Sequence, residues 1–122
     1  MTITGFRRVL CCLFILLLAK DGFTKEFLVT DYGAKPGIIN TVPITKAIQA
    51  CHTNGGGRVV IPAGVFKSGT IIMKPNVELH LAMGATLLAS TDLKDFPVQP
   101  PAAYRSQKDP AGWRALIFAN EV

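Results

Sequence analysis

The chain has 122 residues, 49% of them hydrophobic, and carries a net charge of +5 with three cysteines. That length allows one domain at most, and without basic runs, aromatic platforms or zinc-type Cys/His spacing it is not a nucleic-acid-binding module. The charge is concentrated at the start: from Glu26 onward nine Lys/Arg face seven Asp/Glu, which leaves +2 and identifies no partner by charge alone.

Met1–Arg8 ends in two arginines, and Val9–Ala19 is an unbroken apolar run of eleven residues. A helix that spans a bilayer needs about 20 residues. The run instead has the length and charged flank of a secretory signal peptide. Residues 1–25 are expected to direct export, to the periplasm or outside the cell, with cleavage between Ala19 and Lys25. No membrane association is expected after cleavage. Removal leaves Cys51 as the one thiol of residues 26–122, so that stretch forms no internal disulfide and must be held by packing. No His–Asp pattern accompanies Cys51, so it reads as a small buried hydrophobe.

Glu26–Thr30 reads as a short strand, followed by a turn-rich loop from Asp31 to Gly37. Asn40 or Thr41 can cap the next helix, and Pro43 suits its first turn. Ile44, Ala47, Ile48 and Cys51 recur at i, i+3, i+4 and i+7, one apolar stripe on a helix over Pro43–Asn54. Gly55-Gly56-Gly57 ends it, because glycine readily adopts the left-handed cap. A glycine run that cradles phosphate opens a helix, and this one follows its helix.

Short strands then follow in close order: Arg58–Ile61, Val65–Lys67, Gly69–Met73, Val77–Leu81 and Thr86–Ala89. Val77, Leu79 and Leu81 alternate with Glu78 and His80, the period of a half-buried strand. His80 and His52 read as surface residues, with no second histidine near either to build a metal site. Ser90–Gly112 is a long loop rich in proline and charge, a length usually reserved for function. Asp92 and Asp95 read as turn and cap residues in it. Tyr104, Arg105 and Trp113, with Arg114 alongside, form the one cluster suited to a sugar acid: aromatic faces for the ring and guanidinium for the carboxylate. Tyr104, Arg105 and Trp113 are therefore the candidate substrate-binding residues. Ala115–Ala119 is the last expected strand. No cofactor or metal is expected.

Hairpins favour two-residue turns of Asn-Gly or Asp-Gly character, and none separates the strands from Arg58 onward. Single bends at Pro-Ala-Gly, Ser-Gly, Pro-Asn and Met-Gly-Ala fit the corners of stacked parallel strands. The expected fold is all-β: a right-handed parallel β-helix, N-terminal coils only, with one capping α-helix over its open end.

The segments DYGAK, TKAIQAC, GGGRVVIPAGVFKSGTI and NVELHLAMGATLLAS, in this order and spacing, resemble the N-terminal region of the polygalacturonases, family 28 of the glycoside hydrolases. The resemblance runs from about Phe27 to the end of the chain. It implies a parallel β-helix and an exported, inverting hydrolase of homogalacturonan or rhamnogalacturonan. The family's catalytic motifs are Asn-Thr-Asp, Asp-Asp, Gly-His-Gly and Arg-Ile-Lys, in later coils, and none occurs here. Asn40-Thr41 is followed by Val42, and neither His52 nor His80 is flanked by glycine. No catalytic residue is therefore carried over, and the chain is expected to be the inactive N-terminal part of such an enzyme. Two alternatives stand beside it: a non-catalytic polysaccharide-binding β-helix module, and a polysaccharide lyase of related fold.

Overall fold

The computed structural model describes residues 24–99, 113–120 and 122. Val9–Ala19, Tyr104 and Arg105 lie outside these residues. Strand β1 is Glu26–Leu28, shorter than the Glu26–Thr30 expected, because Val29–Tyr32 wind into a 3-10 turn. The turn is closed by the Gly33 N–H on the Thr30 carbonyl and the Ala34 N–H on the Val29 carbonyl, each 3.1 Å. It places Val29 fully inside the core. Burying that side chain outweighs two more residues of strand, and periodicity over so short a stretch cannot register the choice.

Helix α1 spans Thr41–Thr53, and Ile44, Ala47, Ile48 and Cys51 are its buried residues, as the stripe requires. They pack with Phe27, Val29, Val59, Ile61, Phe66 and Ile71 into one core. The glycines after the helix end it as a Schellman motif: the Gly56 N–H reaches the Cys51 carbonyl at 2.9 Å and the Gly55 N–H the His52 carbonyl at 3.0 Å. Both glycines have positive φ, 92° and 100°, which a side chain would strain.

Asn40 occupies the cap position but does not cap the helix with its side chain. Its Oδ1 accepts the Lys35 N–H at 2.8 Å, and its Nδ2 donates to the Lys35 and Ile38 carbonyls at 2.9 and 2.8 Å. A fully buried amide thus closes the loop from Lys35 and fixes where the helix starts. Replacing it with alanine removes these three bonds and a longer one from Nδ2 to the Lys67 carbonyl at 3.4 Å, and leaves polar backbone beside a void. Asn40→Ala is expected to cost about 2–3 kcal/mol, measurable as a lower urea midpoint with unchanged slope.

The strands then coil. β2 (Gly57–Ile61), β3 (Gly64–Ser68) and β4 (Ile71–Ile72) each lie in a different sheet. β5 (Val77–Leu81), β6 (Ala85–Ala89) and β7 (Ile117–Phe118) return to the same three sheets in the same order. All pairs are parallel: β1 with β2, β2 with β5, β3 with β6, β4 with β7. Register stacks like on like, with Phe27 beside Val59 and Val59 beside Leu79, Phe66 beside Leu87, and Ile71 beside Ile117. Observed strand ends lie within a residue or two of those expected, and Val77–Leu81 matches at both ends.

Burial is graded along the stack. In β2 the inward Val59 and Ile61 are fully buried; one coil further Leu79 is half-buried, Leu81 is 41% exposed and Ile117 48%. The helix seals the first end of the core. At the other, no described element covers the inward face of β5–β7.

Candidate functional site

The long excursion between β6 and β7 is built from its two ends. Asp92 accepts the Lys94 N–H on Oδ1 at 2.9 Å and so caps the short turn Leu93–Asp95. The Asp95 carboxylate takes the Ser90 hydroxyl, and its backbone carbonyl accepts the Thr70 N–H at 3.0 Å. Both aspartates act as turn and cap residues, as expected, and neither is presented as a catalytic carboxylate. Gln99 is buried, and its N–H donates to the Trp113 carbonyl at 2.8 Å, an isolated antiparallel bridge. This bridge holds Gln99 and Trp113 side by side as a neck.

Trp113 stands at that neck with 51% of its surface exposed, so one of the three expected substrate contacts is held by a fixed backbone and open to solvent. Arg114, beside it, is exposed but spends one of its guanidinium nitrogens on the chain itself. Its guanidinium donates to the Leu93 carbonyl at 3.2 Å and the Phe96 carbonyl at 2.6 Å, fastening the turn to the neck. An exposed indole face on a fixed backbone suits stacking on a flat apolar surface such as a sugar ring face.

A separate open cleft of about 630 Å³ runs along the corner before β5, lined by Met73, Lys74, Asn76, Val77 and Glu78 among others. Trp113 does not line it. Among the described residues its one acidic side chain, Glu78, is engaged on the outer face of the first sheet. Register places Glu26, Arg58 and Glu78 side by side on β1, β2 and β5. Arg58 stands 3.5 Å from Glu26 and, through Nε, 3.0 Å from Glu78. The second approach is a charge contact rather than an aligned hydrogen bond, since the Nε proton finds no acceptor. His80 lies 3.6 Å from the same Glu78 oxygen with its side chain 42% exposed, a surface histidine as expected. His52 rests its Nδ1 3.0 Å from the Pro75 carbonyl, tying the end of α1 to the corner of the second coil. The ladder was not foreseen, because its members are 32 and 20 residues apart and meet only through register.

Among the described residues no group of three or more His, Cys, Asp or Glu could hold a metal ion, and no helix is long and apolar enough to cross a membrane. Burial pushes the Cys51 thiol pKa up, which keeps it protonated and unreactive near neutral pH. Cys51 in the native protein is expected to resist a thiol-specific reagent at neutral pH and to react within seconds once the chain is unfolded in urea. Stability from this group is fully present below the thiol's unfolded pKa and is lost as pH rises above it.

Three parallel sheets visited in turn, with a helix over one end, define a coiled parallel-strand protein of the β-helix class. Known proteins of that class match the chain directly. It is 45% identical over 99 residues to the exo-poly-alpha-D-galacturonosidase of Dickeya chrysanthemi, which covers 79% of this chain and 16% of the relative. It is 30% identical over 90 residues to a probable polygalacturonase of Vitis vinifera, covering 69% of this chain and 18% of that one. Among solved structures, the family 28 exopolygalacturonase of Yersinia enterocolitica superposes with a TM-score of 0.66 at 36% identity, over 77% of this chain and 16% of that chain. No family model matches the sequence. The resemblance to family 28 polygalacturonases read from the motifs therefore holds both in sequence and in fold. The chain spans about a sixth of the length of the curated relatives it matches.

Proposed function

We propose that the chain is the N-terminal part of an exported glycoside hydrolase that cleaves pectic polysaccharide with inversion, and that it has no hydrolase activity alone. The observation that carries this reading is 45% identity to a galacturonosidase over a stretch that makes up only 16% of that enzyme. Inverting hydrolysis needs two carboxyl groups roughly 6.5–9.5 Å apart on either side of the scissile bond. Four of the five described acidic side chains serve structure instead: Glu26 and Glu78 on Arg58, Asp92 and Asp95 in the turn; the fifth, Asp31, lies in the 3-10 turn after β1. In this reading the acid and base stand in later coils, and the helix and first coils supply the sealed end on which those coils stack. Trp113, with Tyr104 and Arg105, contacts the polysaccharide, the indole against a ring face and the guanidinium on a galacturonate carboxylate. Residues before the fold act as the export signal.

The test is a reducing-sugar assay on polygalacturonate with the 122-residue chain, beside the chain extended to the natural stop of its gene. Activity is expected only in the longer chain. Activity in the short chain overturns the assignment of the acid and base to later coils. Inactivity in both, with retained binding to polygalacturonate, shifts the reading to a binding module. Products bearing a new double bond, seen by ultraviolet absorbance, identify a lyase.

A further inference from the structure

We infer that export processing of this chain is bounded by its fold: the peptide bond that is cut lies at or before Thr24–Lys25, and Lys25 is retained as the first residue of the cap. The inference rests on the export reading above and narrows it to a place.

Three contacts make Lys25 part of the structure. Its carbonyl accepts the Arg58 N–H at 2.9 Å, so the pairing of β1 with β2 begins one residue before the strand itself. A Cβ on Gly57 would overlap that same carbonyl, so the backbone at Lys25 lies directly against the start of β2. Its Nζ donates to Asn54 Oδ1 at 3.1 Å and stands 5.3 Å from the centre of the Phe27 ring. Asn54 is the residue that ends α1, and its own Nδ2 donates to the Ala50 carbonyl at 2.9 Å. Lys25 thus joins the first residue of β1 to the last turn of the capping helix.

Processing is hydrolysis. Water adds across one peptide bond, leaving a carboxylate on the leader and an ammonium on the retained chain. If the bond after Lys25 were cut, the Arg58 N–H and the Asn54 Oδ1 would lose their partners. The new ammonium would stand on Glu26, whose own carboxylate lies 3.5 Å from the Arg58 guanidinium, placing like charges near one another. A cut at any bond from Ala19–Lys20 to Thr24–Lys25 leaves every one of these contacts in place. Small residues suited to a signal cleavage site occur in that window at Ala19, Gly22 and Thr24.

N-terminal sequencing of protein recovered outside the cytoplasm is expected to begin between Lys20 and Lys25. A first residue of Glu26 or later overturns the inference. An intact Met1 on that protein overturns the processing claim, and failure to find the protein outside the cytoplasm overturns the export reading. A second measurement bears on Lys25 independently of export. Both lysines are exposed, but in the full chain a lysine-specific endoprotease is expected to cut Lys25–Glu26, held against β2 by the Arg58 N–H, at least tenfold more slowly than Lys94–Asp95. Asn54→Ala is expected to narrow that gap. Equal rates at the two bonds in the unsubstituted chain overturn the role given to Lys25.

Discussion

Ile48→Asp is expected to destabilise the fold by about 4 kcal/mol or more, a large part of the stability of a domain this size. The residue is 1% exposed and sits in the middle of the stripe that α1 presents to the core. Aspartate there either buries an unpaired carboxylate or stays protonated at a cost of similar size. Neither of the basic residues nearest in chain, Lys46 and His52, is on that face: both lie off the stripe. For a domain of roughly 100 residues each kcal/mol shifts the Tm by about 4–8 °C, so the transition should fall by about 20 °C. Thr45→Asp, on the exposed side of the same helix, is the control and should change little. An unchanged Tm for Ile48→Asp would mean that the helix is not the seal of the core.

How far the sequence leads depends on whether a feature is local. The stripe Ile44, Ala47, Ile48 and Cys51 and the glycines after it lie within one helix, and both read correctly because burial and backbone conformation there follow from neighbours in sequence. Val77–Leu81 was legible for the same reason, through alternation. The Arg58 ladder, the loop closure by Asn40 and the seat of Lys25 against Gly57 were not. Each joins residues that meet only once coils stack, at a register no periodicity encodes. Of the candidate site, Trp113 is placed at a fixed neck with its ring exposed. Arg114, read beside it as a ligand for a sugar acid, has one guanidinium nitrogen committed to the Leu93 and Phe96 carbonyls. Composition shows that an arginine is present but not which carbonyls its donors will meet.

Gly69→Ala tests the connection between that neck and the coils. Gly69 is buried at the corner between β3 and β4, and its N–H donates to the Thr41 hydroxyl at 2.8 Å. An added Cβ would overlap the Asp95 carbonyl and Asp95 Cβ. Relief requires either the corner or the Ser90–Phe96 turn to move. The corner is held on both sides, by Thr41 at the start of α1 and by the Thr70 hydroxyl on the Ala115 carbonyl at 2.8 Å. The turn is the more exposed partner, so it is the part that yields. Its displacement breaks the 3.0 Å bond from the Thr70 N–H to the Asp95 carbonyl and carries the Leu93 and Phe96 carbonyls away from Arg114. The expected cost is about 2–4 kcal/mol, from overpacking together with lost hydrogen bonds. Because the chain has a single tryptophan, the movement should also appear as a changed emission maximum from Trp113, one residue from Arg114. Arg114→Ala is expected to alter the same emission with a smaller loss of stability, since it frees the neck without crowding the corner. Loss of stability in Gly69→Ala with unaltered tryptophan emission would show that the turn is not what holds Trp113 in place.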